Sequence, residues 1–260
     1  MNRKKSKASE IPKFVWLLIS FLGAIALWFF ISGTEAGGIV FASPGAVIST
    51  MFNTIENGTL VRHIQVSLTR IIMGFSLAFV VSIPVAFLMG WYDIFRNLFE
   101  PWIQFVRSIP PLAYIPLVIV AAGVGERANV MVIFIASFLV MVIAIFQGVC
   151  NVDSTLIKAA RVLGARDRDI FMKVVIPASS PFILVAARLG LSTSLTTLIA
   201  AELTGASWGL GMMIQRASGF FDMATVLLGI IIIGIMGITF EKIVKLLERK
   251  LTGWQETISQ

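Results

Sequence analysis

Charge, cysteine and histidine are all scarce in this sequence, and each shortage excludes something. Only 13% of the 260 residues are Asp, Glu, Lys or Arg, whereas a soluble domain carries about 25%. With 57% hydrophobic residues and a mean hydropathy of +0.92, the chain reads as an integral membrane protein. The single cysteine, Cys150, excludes an intrachain disulfide and reads as a small residue at a membrane edge. His63 is the one histidine, so the two together cannot assemble a metal site of ordinary ligand number. No G-x-x-x-x-G-K-S/T loop occurs, so the chain has no P-loop for ATP. No nucleophile–base pair or carboxylate pair stands out, and no catalytic residues are assigned. A net charge of +7 raises the question of nucleic acid. The basic residues sit in segments between apolar blocks instead, which is the pattern of membrane topology.

Those blocks predict an all-α protein with six spans. Residues 1–13, with Arg3, Lys4, Lys5, Lys7 and Lys13, read as a basic cytoplasmic tail. The first span covers 14–32. Its Ala24-Ile25-Ala26 resembles a signal-peptide cleavage site but lies inside the apolar run, so a retained span is the better reading. Residues 33–59 form a turn-rich external segment without Lys or Arg up to Asn57. The core follows from 60 to 247, with spans at Ile71–Gly90, a third entered through Ile109-Pro110-Pro111 and interrupted by Pro116, then Val130–Val149, Phe182–Leu203 and Thr225–Ile238. Residues 248–260 are a second cytoplasmic tail. Most Lys and Arg fall in the tails and in the gaps after even-numbered spans, so both termini are expected inside.

The longest polar interval between apolar blocks runs from Asn151 to Pro181. It holds Lys158, Arg161, Arg166, Arg168 and Lys173. Asp153 or Ser154 can cap a first short helix, with Leu156, Ala160 and Leu163 at i, i+4, i+7 as its apolar face. Gly164 sits where that helix should stop in a left-handed turn. Asp167 can cap a second helix whose stripe is Ile170, Phe171, Val174 and Val175, and Pro177 should end it. Such a basic helical pair is either a docking surface or a loop resting on anionic lipid.

Few ionisable residues fall within the spans, and each is a functional candidate because charge in hydrocarbon is expensive. Glu202 either shapes a solute path or accepts a neighbouring backbone N–H. Arg188 lies 14 residues away on the same helix, about 21 Å along its axis, so the two cannot pair. Arg188 snorkels to the inner interface or has a role in the path. Arg70 and Arg216, near the outer face, either attract an anion or anchor their helices. The breaks at Pro110, Pro111 and Pro116 need protein or water to satisfy freed carbonyls. With Gly209 and Gly211 in the last outer loop, they complete the candidate path of Arg70, Pro110, Pro111, Pro116, Glu202, Gly209 and Gly211.

The run Lys158-Ala159-Ala160, Gly164, a nine-residue gap and Val174-Val175-Ile176-Pro177 resembles the Glu-Ala-Ala loop of ABC-importer permeases. It departs at the first position, where Lys158 replaces the acid. Ser108-Ile109-Pro110-Pro111-Leu112-Ala113, Gly123-Val124-Gly125-Glu126, Ala200-Ala201-Glu202-Leu203, Trp208-Gly209-Leu210-Gly211 and the tail to Trp254 resemble nitrate, sulfonate and taurine permeases, the taurine permeases most. The likeness runs from about Ser43 to Trp254. It implies a type I ABC importer permease fold in a bacterial inner membrane. It also implies a homodimer, two cytoplasmic ABC ATPases that bind ATP and Mg, an extracytoplasmic solute-binding protein, and no cofactor on the chain itself. The coupling residues carried over are Lys158, Ala159, Ala160, Arg161, Gly164, Ile176 and Pro177. The substrate implied is a small anion, taurine or another aliphatic sulfonate first and nitrate next. The rival reading is a stand-alone secondary transporter or channel. Such transporters are often built from internal repeats, and none is evident here.

Overall fold

The structure, a computed structural model, describes residues 12–251; of the expected tails, 1–13 and 248–260, residues 1–11 and 252–260, with Trp254, lie outside the described residues, while Lys13 and 248–251 belong to helices. Among those residues the chain is helical, without a strand. It divides into two compact units. One takes in the chain up to Leu60 with Ile214–Ile231, and the other holds Val61–Met213 with the residues from Ile232 on.

In the first unit, α1 (Lys13–Ser32) begins after Pro12 and closes at Gly33. Phe14, Leu17, Phe21, Leu22, Phe29 and Phe30 are all exposed. A helix so apolar all round suits lipid, where an exposed Leu or Phe carries no solvation penalty. The external segment is itself helical. Thr34 caps α2 (Glu35–Val40) through the Gly37 N–H at 3.1 Å. Ser43 caps α3 (Pro44–Glu56) through the Ala46 N–H at 3.2 Å, with Pro44 in the first turn where its missing N–H costs nothing. Trp28 Nε1 donates to the Ala42 carbonyl at 3.0 Å and ties this segment back to α1. Gly37–Glu56 is long and apolar enough to count as a candidate span.

The second unit is built on α4 (Thr59–Trp91), α7 (Glu126–Cys150) and α10 (Ile176–Gly205). Its core includes Ala78, Met89, Met141, Ile145, Ile170, Val175 and Ala186, all 2% exposed or less. Small residues let these helices approach closely, which is how helices associate where lipid is as apolar as leucine. A Cβ on Gly74 would come within 2.6 Å of Ile133 Cγ2, so α4 and α7 touch there. The Ser137 and Ser194 hydroxyls meet at 2.7 Å between α7 and α10.

Between α4 and α7 the third span departs from a single kinked helix. Helix α5 (Asp93–Arg107) and α6 (Pro111–Ala122) meet at a 105° bend across Ser108–Pro110. The 12 residues of α6 rise about 18 Å, short of the roughly 30 Å of hydrocarbon. Pro110 and Pro111 set the bend, since Pro disfavours helical geometry in the residue before it. Ile115 and Val118 bury against Ala128, Val132 and Ala201 and hold α6 in place.

A second departure concerns Pro177. The expected helix end is absent there: α9 (Asp167–Ile170) runs through a π-helical turn, Phe171–Val175, directly into α10. The Ile176 N–H bonds the Phe171 carbonyl, five residues back. That widened turn leaves Pro177 in the first turn of α10, where no N–H is required. Pro181 is likewise accommodated inside α10. Two helices close the chain, α11 (Leu210–Gly219) and α12 (Met223–Leu251). Six described helical segments are long and apolar enough to cross a membrane, or seven if the bent α5–α6 pair counts as one.

Candidate functional site

The second unit carries two polar assemblies, one at each end of α4. Three residues at i, i+4 and i+7 on α4, His63, Ser67 and Arg70, form a polar stripe, and all three are buried. Arg70 Nε and Nη2 both donate to Glu126, the first residue of α7, with Nε at 2.7 Å from Oε2. Arg70 Nη1 donates to Glu202 Oε1 at 2.7 Å and to the Trp208 carbonyl at 2.7 Å. Glu202, 0% exposed, also accepts from the Ser67 hydroxyl at 2.8 Å and from the Gly211 N–H at 2.8 Å. The Leu210 N–H donates to Ser67 Oγ at 2.9 Å, and the Gly209 N–H to His63 Nδ1 at 3.0 Å. The carboxylate of Glu202 therefore caps the positive N-terminal end of α11 while pairing with Arg70.

The glycines make room for this. Gly209 has φ +132, and a Cβ there would run into the Glu202 carboxylate. A Cβ on Gly211 would lie 2.8 Å from Glu202 Cβ. The loop closes outward with Trp208, whose ring lies 5.0 Å from that of His63 and 3.9 Å below the Arg62 guanidinium. Buried charge in a low-dielectric setting is tolerable only when paired and hydrogen-bonded throughout. Here the Arg70 guanidinium and the Glu202 carboxylate meet that condition with partners from α4, α7, α10 and α11.

Of the candidate path, the structure brings Arg70, Glu202, Gly209 and Gly211 into this one cluster. Arg70 is spent on protein acceptors, not held out to solvent. Pro110, Pro111 and Pro116 stand apart, at the α5–α6 bend and on α6, with Pro110 and Pro116 exposed. Arg216 is exposed on α11. Sequence reasoning passed over Ser67 and Glu126. The 63–67–70 spacing on α4 was the available signal for Ser67; Glu126 stood in the Gly123-Val124-Gly125-Glu126 motif, but nothing local tied it to Arg70.

The other assembly is the basic loop. Trp91, at the far end of α4, packs on Phe171 with ring centroids 5.1 Å apart. Arg70 and Trp91 are 21 residues apart, about 32 Å along a helix, close to a bilayer's hydrocarbon thickness. Helix α8 (Ser154–Val162) is capped by Asp153, which accepts from the Thr155 N–H at 2.8 Å and is thereby held below the usual carboxylate range. Gly164 has φ +79, and the Ala165 N–H bonds the Ala160 carbonyl at 3.0 Å, the six-residue closure of a helix end. Its Cβ position is open, so backbone conformation and not packing demands glycine.

The packed face of α8 differs from the expected one. Ile157 and Ala160 rest on the core, with Ala165 beyond them, whereas Leu156 is 50% and Leu163 86% exposed. The helix is too short for i+7 to stay on the same side once Gly164 turns the chain. The second stripe packs as expected: Ile170 and Val175 are buried, Phe171 and Val174 half-buried. Lys158, Ala159 and Arg161 are exposed, and Val162 is 88% exposed beside them. Among the described residues, the loop's charges make only surface pairs, Arg161 with Asp167 at 3.6 Å and Lys173 with Asp169 at 2.8 Å.

A helical membrane protein with a Gly-turned basic loop at one end of its core helices has the form of a transporter's membrane subunit. The chain belongs to the family of binding-protein-dependent transport system inner membrane components, whose model matches residues 82–253. It is 47% identical over 239 residues to a Brucella abortus (strain 2308) protein named "Probable ABC transporter permease protein", covering 92% of this chain and 95% of that one. It is 34% identical over 236 residues to the taurine transport system permease protein TauC of Escherichia coli (strain K12), covering 88% and 86%. Among solved structures, an inward-facing form of the MetNI methionine ABC transporter superposes with a TM-score of 0.67 at 20% identity, over 74% of this chain and 96% of that one. That likeness speaks for the fold.

Proposed function

We propose that the chain is the membrane-spanning permease of an ATP-driven importer for a small anion, taurine or another aliphatic sulfonate first and nitrate next. It works as a homodimer, with an extracytoplasmic binding protein outside and two ABC ATPases inside, and both its termini are cytoplasmic. ATP and Mg reside on the ATPases, and this chain supplies the path. The observation that carries the reading is the basic loop. A helix capped by Asp153, stopped by Gly164 and leaving Lys158, Arg161, Val162 and Leu163 exposed is shaped to enter a groove on another protein. A loop meant only for solvent would not present two neighbouring branched apolar side chains.

Closure of the ATPases on ATP would move α8. The α9–α10 rod, continuous through the π turn and Pro177, would pass that movement toward Glu202 and the α11 loop. The likeness to a taurine permease, at 34% identity, supports a sulfonate-bearing substrate. The test is co-expression of the permease with its cognate P-loop ATPase and binding protein, reconstitution in liposomes, and uptake of radiolabelled taurine and nitrate. Uptake that needs all three proteins and ATP is expected. Uptake by the permease alone, driven by an ion gradient, would overturn the importer reading, and uptake of a solute with neither a sulfonate nor a nitrate group in place of both would overturn the substrate.

A further inference from the structure

Helix α8 has one side pressed on the core and one side that no described residue covers. Ile157 and Ala160 are its packed residues. At 3.6 residues per turn, Thr155 and Val162 point directly away from them, with Lys158 on one flank and Ala159 on the other. All four are exposed, and Val162 reaches 88%. Leu163, 86% exposed, extends the apolar tip to the turn at Gly164. Lys158 and Val162 are one turn apart, about 6 Å along the axis. Lys158 is also where the sequence departs from the Glu-Ala-Ala loop. The ion pairs of the loop are Arg161 with Asp167 and Lys173 with Asp169, and Lys158 has no share in either. It acts on Asp153 only through the field, and that carboxylate is already engaged by Thr155.

A surface that covers Val162 and Leu163 also covers Lys158. Taking an ammonium out of water is costly unless an acceptor, best a carboxylate, meets it. The surface that receives α8 therefore needs two features about 6 Å apart, an apolar seat for the tip and an acid for the lysine. Anionic lipid would supply negative charge as well. Three carboxylates stand around the same tip, however: Asp153 and Asp167 are exposed and Asp169 is half-exposed. A uniformly anionic lipid surface would repel them, whereas a protein groove places its charges one by one.

We propose that the ATPase groove that receives α8 holds an apolar seat for Val162 and Leu163 and, one turn away, an Asp or Glu that pairs with Lys158. The inference rests on the reading of the chain as the permease of an ATP-driven importer, and it adds the sign of the contact. A charge pair at a docking surface decides which partner is accepted and in what register. Lys158 thereby selects this chain's own ATPase against one whose groove holds a cation at that place.

The test uses the full-length permease in nanodiscs, titrated with its cognate ATPase subunit at low and at raised salt. Lys158→Glu should weaken binding about tenfold or more, the scale of one misplaced charge at an interface. Lys158→Gln should weaken it less and flatten the fall of affinity with salt, and Lys158→Arg should bind as wild type does. The thermal midpoint of the permease alone should stay put in all three, because Lys158 lies on the surface. Reversing single acids of the ATPase groove to lysine should yield one variant that binds Lys158→Glu better than it binds wild type. Wild-type affinity in Lys158→Glu, a salt dependence indifferent to Lys158→Gln, or no ATPase reversal that restores binding would each overturn the proposal while the importer reading stands. A wild-type permease that binds phosphatidylglycerol vesicles through this loop and no ATPase at all would overturn both.

Discussion

The two ends of α4 treat charge in opposite ways. At the Arg70 end, a guanidinium and a carboxylate are buried to 1% and 0% exposure, and hydrogen bonds from four helices satisfy them. At the Trp91 end, Lys158, Arg161, Arg166 and Arg168 stay on the surface beside the exposed Val162 and Leu163. The first arrangement is complete within the chain, and breaking it leaves a charge stranded in a low dielectric. The second arrangement is incomplete, and its apolar tips have no cover among the described residues. A closed polar network holds helices in register. An open amphipathic one transmits force to a partner. On the proposed function, the contrast puts stability at one end and coupling at the other.

Breaking the closed end should have the largest effect. Arg70→Leu strands Glu202, and removal of one partner of a buried pair costs about 3–5 kcal/mol. The expected outcome is a large fall in the thermal midpoint of the detergent-solubilised protein. Arg70→Leu with Glu202→Leu should recover much of that fall, since replacing both charges leaves neither unpaired. A single variant as stable as wild type would show that the network is not structural.

Gly164→Val sharpens the comparison from the other side. A side chain at positive φ costs about 1–2 kcal/mol, and the Cβ meets nothing within 4 Å. The variant should insert and fold, yet lose ATP hydrolysis stimulated by the binding protein. Intact stimulation would remove the turn from the coupling argument. A smaller effect on the protein itself follows from Val162→Ser with Leu163→Ser. Both residues are more than 80% exposed, so stability should hold within about 0.5 kcal/mol, while the ATPase should co-purify in reduced amount. Smallest of all is Asp153. Hydrogen bonds from Thr155 hold its carboxylate below its ordinary value. Its contribution to the start of α8 is therefore complete above the ordinary aspartate range and is lost as pH falls through the depressed value. Amide exchange at Thr155 and Leu156, corrected for intrinsic rates, should rise only in acid.

Much of this was legible in the residue pattern because it is local. Apolar runs marked the long helices, Asp153 marked the α8 cap, and Gly164 marked the left-handed turn. What stayed hidden depends on geometry that no short window contains. The Arg70 bonds to Glu126 and Glu202 join residues 56 and 132 positions apart. The π turn at Phe171–Val175 reverses the usual meaning of Pro177, because it shifts one hydrogen bond and leaves the proline in a first turn. Leu163 shares a helical spacing with Ala160 yet points away from the core, since α8 ends at Val162; Leu156 faces outward too, and Ile157 with Ala160 makes the packed face. Gly37-Gly38 and Ser43-Pro44 make 35–56 read as turn-rich, and the caps at Thr34 and Ser43 were the missed signals.

The central claim, that the loop tip is a cytoplasmic surface covered by an ATPase, comes down to one measurement. Leu163→Cys in a Cys150→Ser background is labelled with a membrane-impermeant maleimide in intact cells and in inside-out vesicles, with and without the ATPase subunit. The expected result is no labelling from outside, rapid labelling in inside-out vesicles lacking the ATPase, and protection when the ATPase is bound. Labelling in intact cells, or labelling in vesicles that the ATPase leaves unchanged, would contradict it.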